Sequence, residues 1–138
     1  MKMMSKIKVL TSVRVAQTAG IAQVVFSFLG FVENSKKSKI SVVAVDIINS
    51  NKKSSYRKTT GKQTSVISIH TKLPNIGEAI SKAKNLKDIE KKYEKIIFLY
   101  QKAIQKEKPD LVLINGTYFM PWCLLIASER ENIPAVVH

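Results

Sequence analysis

Two histidines are the clearest candidates for acid–base chemistry in this chain. His70 follows an apolar run at 65–69, and His138 follows another at 135–137. An imidazole titrates near neutral pH, so either side chain could act as a base. A lone histidine with no partner residue in view is more often an ordinary polar residue at a strand end, and that alternative stays open for both.

A small polar step follows the most apolar run of the chain, LVLI. Asn115-Gly116 come first, and the aromatic residues Tyr118, Phe119 and Trp122 follow closely. Aromatic residues at the start of a helix commonly pack on a sheet edge, and this is the stronger interpretation of the three. Their alternative role is a stacking wall beside a bound ligand, for which only Tyr118 is near enough to the end of the run. Asn115, Gly116 and Tyr118 are therefore candidate substrate-binding residues.

The first turn of the chain, VRVAQTAGIAQ, could hold an anion. Gly20 stands where a helix is predicted to begin, and the N-terminus of a helix offers unpaired N–H groups and a partial positive charge. Gln17, Thr18 and Gln23 surround it with polar groups that could meet a sugar or a phosphate. Close packing of the helix on the sheet is the alternative reason for a glycine here.

Motifs for the common cofactors are missing. The first turn lacks the G-x-G-x-x-G pattern of a dinucleotide site, and no phosphate-binding G-x-x-x-x-G-K-[ST] loop occurs. Asp46, at the end of the second run, could bind a ribose, but without those glycines it is more simply a polar residue at a strand end. Cys123 is the only cysteine, so it can form neither an internal disulfide nor, with two histidines, a zinc cluster. We expect no cofactor and no metal, and a small nucleotide-binding Rossmann enzyme is disfavoured.

Apolar runs rich in β-branched residues predict a parallel sheet, because strands that are buried on both faces are continuously apolar. They cover residues 7–13, 40–48, 65–69, 111–114 and 135–137. Helical patterns separate them, which predicts one doubly wound, Rossmann-like α/β domain with strand order 3-2-1-4-5 and helices on both faces. Ligands of such sheets bind beyond the carboxyl ends of the strands where the order reverses, here between the first and fourth strands.

The helical patterns predict helices that pack on this sheet. They cover roughly residues 19–33, 76–84 and 119–131, with a single apolar stripe from Leu86 to Ile104. The uncharged run from Val15 to Val32 is 18 residues long, the minimum for a membrane span. Its apolar residues recur at three- and four-residue spacing on one side, which favours a helix packed on a core. We expect neither a membrane span nor a cleaved signal.

Charge is distributed unevenly along the chain. Lys and Arg outnumber Asp and Glu by 23 to 10, and residues 1–72 hold 13 basic and only 2 acidic side chains. The stretch 49–63 carries five basic residues and no acidic one, and its polar composition predicts a loop. This asymmetry predicts an anionic partner, such as phosphate, nucleic acid or an acidic membrane, unless the lysines only keep the protein soluble. With Tyr56 alone available for base stacking in that stretch, nucleic acid is the less favoured partner.

The two ends of the chain resemble a known family. IKVLTSVRVAQTAGIAQVVFSFLGFV and KPDLVLINGTYFMPWCLLIASERENIPAVVH are similar to the N-terminal, acceptor-side domain of GT-B fold glycosyltransferases, the large family that includes bacterial cell-surface sugar transferases. That family has a Gly-Gly pair in the first turn, where this chain has Ala19-Gly20. It also has a histidine after the last strand, and His138 stands about two positions before that place.

The resemblance implies sugar transfer from a nucleotide-sugar donor to a sugar or lipid-linked acceptor. The residues that it implies for substrate binding are Ala19, Gly20, Asn115, Gly116, Tyr118 and His138. The family binds its donor mainly in a second, C-terminal Rossmann-like domain with an acidic motif that residues 1–138 do not contain, so this N-terminal domain alone is expected to be inactive. The single cysteine favours a cytoplasmic protein, and the resemblance together with the basic first half implies that it contacts the inner face of an anionic membrane. The alternative is a basic α/β domain that binds nucleic acid or a nucleotide.

Overall fold

The computed structural model describes residues 6–14, 21–73, 84–116 and 119–138. The strands in these ranges are β1 (Ile7–Ser12), β2 (Ile40–Asn49), β3 (Ser55–Thr60), β4 (Thr64–Thr71), β5 (Leu111–Ile114) and β6 (Ala135–Val137). The helices are α1 (Ile21–Asn34), α2 (Leu86–Lys92), α3 (Glu94–Glu107) and α4 (Phe119–Arg130).

All six strands belong to one sheet, in the order β3-β4-β2-β1-β5-β6. Leaving β3 aside, the five predicted strands occur in the predicted order, and every pairing among them is parallel. β1 lies between β2 and β5, so the strand order reverses at β1. The predicted Rossmann-like α/β class is confirmed, and β1 and β5 are adjacent as predicted.

The stretch 49–63 is not the loop that its composition predicts. Ser55–Thr60 forms the edge strand β3, which pairs antiparallel with β4. In the tight turn between them the Gly61 N–H donates to the Thr64 carbonyl oxygen at 2.8 Å. Threonine and tyrosine favour strands, but all six residues of β3 are exposed, so the apolar pattern that marks a strand is absent. The sheet is therefore mixed and has six strands instead of five parallel ones.

Helices cover both faces of the sheet, as the sequence predicts. On one face α1 buries Val25, Leu29 and Val32 against Val9 and Val42 of the central strands. On the other face α3 and α4 pack over a larger apolar core. Neighbouring residues of a strand point to opposite faces, so each central strand supplies side chains to both cores.

The apolar stripe that predicts one long helix is divided at Tyr93. This residue has φ −106° and ψ 16°, and it separates α2 from α3. Its buried ring stacks on Phe119 of α4, with the ring centroids 5.4 Å apart. The stripe continues across the break, and for that reason the periodicity does not reveal it. α3 ends before Pro109, with Lys108 in the left-handed conformation and its N–H bonded to the Ile104 carbonyl oxygen.

Two of the predicted helices lie partly outside the described residues. The one expected at 76–84 falls there except for its last residue, and α1 is described from Ile21 onward. Within the described ranges, no helix combines the length and the apolar character needed to cross a membrane.

Candidate functional site

The carboxyl ends of β5 and β6 lie beside α1 and border a crevice of about 170 Å³. Its lining residues are Val24, Val25, Phe28, Leu113, Asn115 and His138. α1 supplies an apolar wall, and the strand ends supply the polar groups. Chain order explains this arrangement, because α1 is the first described helix after β1 and crosses the face on which Leu113 lies.

Asn115 links β1 to β5 at this crevice. The residue is buried, and its Nδ2 donates to Thr11 Oγ1 at 3.2 Å. The Thr11 hydroxyl, also buried, donates in turn to the Leu113 carbonyl oxygen at 2.8 Å. A buried polar group left without a partner costs about 1–3 kcal/mol, so this chain of bonds favours one fixed spacing of the two strand ends. Part of the Asn115 amide is thereby used for structure.

Backbone bonds hold Gly116 and His138 together. The His138 N–H donates to the Ile114 carbonyl oxygen at 2.8 Å, and the Gly116 N–H donates to the His138 carbonyl oxygen at 3.5 Å. Gly116 has φ 94°, a conformation that residues with a side chain rarely adopt. His138 itself is exposed. The strand ends therefore fix the backbone of His138 while its imidazole stays accessible from the crevice.

The crevice brings together half of the predicted substrate-binding residues. Asn115, Gly116 and His138 all border it or adjoin it. The other three, Ala19, Gly20 and Tyr118, lie outside the described residues, as do Gln17 and Thr18. Sequence reasoning missed the apolar wall of Val24 and Phe28, although the one-sided periodicity of α1 was the signal that could have revealed it.

His70 does not join His138. It lies within β4, where it pairs with Ile48 of β2. β2, β1 and β5 separate β4 from β6, so at about 4.8 Å between neighbouring strands the two backbones are roughly 19 Å apart. The two imidazoles cannot share a proton in one reaction, and of the two histidines it is His138 that lines the crevice.

Several other residues whose side chains could take part in chemistry are stacked or buried instead. Phe119 stacks on Tyr93, which confirms its structural interpretation, while Trp122 is partly exposed. Asp46 is buried inside β2, paired with Ser68 of β4, and not at a strand end as the sequence suggests. Burial raises the pKa of the Cys123 thiol to about 12, so it is not a nucleophile at neutral pH. No group of three His, Cys, Asp or Glu side chains that could hold a metal ion occurs in the described parts of the chain.

Glu33, near the end of α1, holds the turn between β3 and β4. This turn precedes β4, so it lies at the amino ends of the parallel strands, whereas the crevice lies at their carboxyl ends. Its carboxylate accepts hydrogen bonds from the backbone N–H groups of Lys62, Gln63 and Thr64, and from the Thr64 hydroxyl at 2.8 Å. These bonds, above all the one from the Gln63 N–H, lower the pKa of the Glu33 carboxyl to about 2. Glu33 therefore anchors the hairpin and does not belong to the crevice.

Glu107, the last residue of α3, forms a second cluster. Its side chain is only 4% exposed, and it accepts hydrogen bonds from Lys58 Nζ at 2.8 Å and Lys8 Nζ at 3.3 Å. Burial raises the pKa of this carboxyl, but the bonds from Lys58 and Lys8 outweigh burial and the net shift is downward. The cluster joins α3 to β1 and β3. Sequence reasoning missed it because Lys8 is 99 positions from Glu107.

Comparison with known proteins identifies a fold. No protein family and no curated protein matches this chain in sequence. The E. coli trehalose-6-phosphate structure bound with UDP-2-fluoro glucose matches it with a TM-score of 0.58 and 12% identity over 94% of this chain. UDP-GlcNAc 2-epimerase from Neisseria meningitidis, bound to UDP-GlcNAc, matches with a TM-score of 0.52 and 15% identity over 95%. The C-terminal domain of a hydrogenase from Pyrococcus furiosus matches with a TM-score of 0.51 and 10% identity over 99%.

This chain spans 31% and 32% of the two nucleotide-sugar proteins, and 95% of the hydrogenase domain. At such identities the likeness shows the fold alone. The chain shares a Rossmann-like fold with these three structures, which supports the resemblance at the level of the fold. The particular family stays a prediction.

Proposed function

We propose that this domain forms one wall of the nucleotide-sugar site of a GT-B glycosyltransferase, which transfers a sugar from the donor to an acceptor. The observation that carries the proposal is the crevice where the strand order reverses, with Asn115, Gly116 and His138 at the ends of two adjacent strands. Two proteins that share the fold bind UDP-2-fluoro glucose and UDP-GlcNAc. The switch point of a parallel sheet is where ligands of such folds bind.

The size of the crevice supports a site shared between two domains. Its volume of about 170 Å³ is below the roughly 300–1,000 Å³ of a typical small-molecule site, so it can hold only part of a nucleotide-sugar. We infer that a second Rossmann-like domain supplies the opposite wall and binds most of the donor. The chain spans about a third of the length of the two nucleotide-sugar proteins, which leaves room in such a protein for that domain.

The residues of the crevice divide into two roles. Val24 and Phe28 offer an apolar surface to a ring face, which suits a sugar or a base. The exposed imidazole of His138 can donate or accept a hydrogen bond from a hydroxyl or a phosphate oxygen. Asn115 links the ends of β1 and β5 beside these groups through its bond to Thr11. In this proposal the domain binds and orients, and docking on an anionic membrane stays a prediction.

Amide chemical-shift mapping of residues 1–138 with UDP-GlcNAc and UDP-glucose tests the proposal. We expect shifts at Leu113, Asn115, Gly116 and His138 and along the Val24–Phe28 segment. Half a site should bind with a dissociation constant near 1 mM, equivalent to about −4 kcal/mol. His138→Ala should weaken binding, whereas His70→Ala, the matched histidine four strands away, should not. Shifts confined to the β3–β4 hairpin, or equal effects of the two variants, would remove the crevice as the site.

A further inference from the structure

The outer edge of the sheet is an exposed strand with unused backbone groups. All six residues of β3 are exposed, and among the strands of the described residues only β4 pairs with it. The bond from the Gly61 N–H to the Thr64 carbonyl makes these two residues a hydrogen-bonded pair. Such pairs alternate along an antiparallel ladder, so the backbone N–H and C=O groups of Tyr56, Lys58 and Thr60 point away from β4. They form a template onto which another strand could add.

A groove runs beside this edge on the face covered by α3. Its volume is about 610 Å³, and its lining includes Tyr56, Ile69, Leu99, Ala103, Lys102 and Lys106. Ile69 and Ala103 are buried and give the groove an apolar floor. Alternate residues of β3 share a face, so Tyr56 and Lys58 both turn toward α3. The residues that offer free backbone groups are thus the residues that border the groove.

The surroundings of the groove are strongly basic. The stretch 49–63 has five basic residues and no acidic one, and α3 adds Lys102 and Lys106. Lys106 Nζ lies 4.2 Å from the centroid of the Tyr56 ring, and Lys102 Nζ lies 5.2 Å from that of Phe98. Among the described residues, Glu107 pairs with Lys58 but no ion pair neutralises Lys102 or Lys106. Two copies of this edge would repel each other, whereas an acidic strand would be attracted.

We propose that the β3 edge binds an acidic, extended peptide segment of a partner protein as an additional strand. The partner's backbone pairs with Tyr56, Lys58 and Thr60. An apolar side chain of the partner enters the groove between Tyr56 and Leu99, and carboxylates two residues away on either side, which share its face of the strand, lie near Lys102 and Lys106. The pattern that fits has acidic, apolar and acidic residues at every second position, with uncharged polar residues between them, because alternate side chains of an added strand enter the pockets beside the edge.

The free backbone groups distinguish this partner from the other anions that the charge would attract. A lipid headgroup or a phosphodiester chain can meet the lysines, but neither offers N–H and C=O groups at the spacing of a strand. Stacking of a base on Tyr56 is also hindered, because Lys106 lies over one face of that ring. The peptide alone uses the backbone edge, the apolar floor and the charge together.

The test uses the peptide TETLTET, amidated at its C-terminus and labelled with fluorescein at its N-terminus, and residues 1–138, with binding followed by fluorescence anisotropy and amide shifts. We expect shifts in β3 and α3. N-methylation of the peptide amides on its pairing edge should abolish binding, while N-methylation on its opposite edge should not. The labelled peptide TETSTET, with the same charge but no apolar side chain for the groove, should bind more weakly.

Protein variants separate the groove from general charge attraction. Changing Lys102 and Lys106 to Gln should weaken binding roughly two- to thirtyfold, since exposed ion pairs contribute about 0.2–1 kcal/mol each. Changing Lys87 and Lys91 of α2 to Gln removes the same charge outside the groove and should have little effect. Equal binding of both N-methylated peptides, or equal losses in both double variants, would overturn the proposal. So would tight binding of oligo(dT) or of phosphatidylserine vesicles with no binding of the peptide.

Discussion

Removing the charge of Glu107 should destabilise the protein, although this residue lies far from the crevice. The Glu107 carboxylate is nearly inaccessible, and Lys8 and Lys58 both donate to it. Glu107→Gln keeps the size of the side chain and one acceptor oxygen. It removes the negative charge on which the two lysines converge, and it loosens the link between α3, β1 and β3.

The expected loss lies between two limits. A hydrogen bond to a charged group contributes about 1.5–3 kcal/mol when it is well shielded, and an exposed ion pair contributes about 0–1 kcal/mol. The Glu107 side chain is 4% exposed, but those of Lys8 and Lys58 are 33% and 34% exposed, so solvent screens one side of each pair. Both lysines donate to the same oxygen, Oε1, which a glutamine can retain as a neutral acceptor, so the loss comes mainly from the missing charge. We therefore expect Glu107→Gln to lower the free energy of unfolding by about 1–2 kcal/mol.

The effect should depend on pH in a defined direction. The net shift of the Glu107 pKa is downward in the folded protein, where the lysine bonds outweigh burial. A carboxyl with a lowered pKa adds stability above its unfolded pKa, about 4.3, and loses it as the pH falls through its folded pKa. At pH 7 the free energy of unfolding of the wild type should thus exceed that of Glu107→Gln by the full expected difference. The difference should shrink once the pH falls below about 4, because a protonated glutamate resembles glutamine.

Urea denaturation followed by circular dichroism measures this difference in the free energy of unfolding at two pH values, pH 7 and a pH below about 4. Glu129→Gln is the matched control, because it removes the same charge from an exposed position of α4 that makes no ion pair among the described residues. Equal stability of Glu107→Gln and Glu129→Gln at pH 7 would refute the reasoning. A deficit of the same size at both pH values would show that packing, and not charge, is responsible.

Three further outcomes are expected for other parts of the molecule. A Cβ at Gly61 would lie 2.6 Å from Glu33 Oε1, so Gly61→Ala should displace the carboxylate from the turn. NMR should then show a Glu33 pKa above about 2 and faster amide exchange in the turn, and an unchanged pKa would contradict this. Cys123 is buried with a pKa of about 12, so a thiol reagent at pH 8 should react with it slowly in the native protein and quickly in urea, and fast native reaction would exclude its burial. Residues 1–138 should show no sugar transfer from common nucleotide-sugars, and turnover abolished by His138→Ala would show that no second domain is needed.

The sheet was predictable where burial leaves a pattern in the sequence. The five apolar runs gave the strands, and their alternation with helices gave the order, because parallel strands must be joined by crossovers. β3 was not predictable in this way, because Ser55–Thr60 buries nothing. The break at Tyr93 was hidden for the opposite reason: the residue is buried like its neighbours on the stripe, and only its dihedral angles differ.

The candidate site was predictable only as a location. Strand order determines that the carboxyl ends of β1 and β5 are adjacent, which predicts the position of Asn115 and Gly116 in the fold but not their role. The bond from Asn115 to Thr11 spans 104 positions, and the carboxylate of Glu33 reaches a turn about 30 residues later. No local pattern contains such partners. Tertiary contacts decide them, and they appear only when the strands are placed side by side.

The fold alone does not decide the function, since nucleotide-sugar proteins and a hydrogenase domain share it. The decision therefore falls on the side chains at the crevice, and these are not equivalent. The Nδ2 of Asn115 donates to Thr11, and Gly116 contributes only its backbone. His138 is held at its backbone by the bond to Ile114, yet its imidazole is exposed and unneeded for the core. The fold fixes the backbone of His138 without using its imidazole, so the imidazole is available to a ligand. The contrast between His138→Ala and His70→Ala therefore separates a binding site from a strand end.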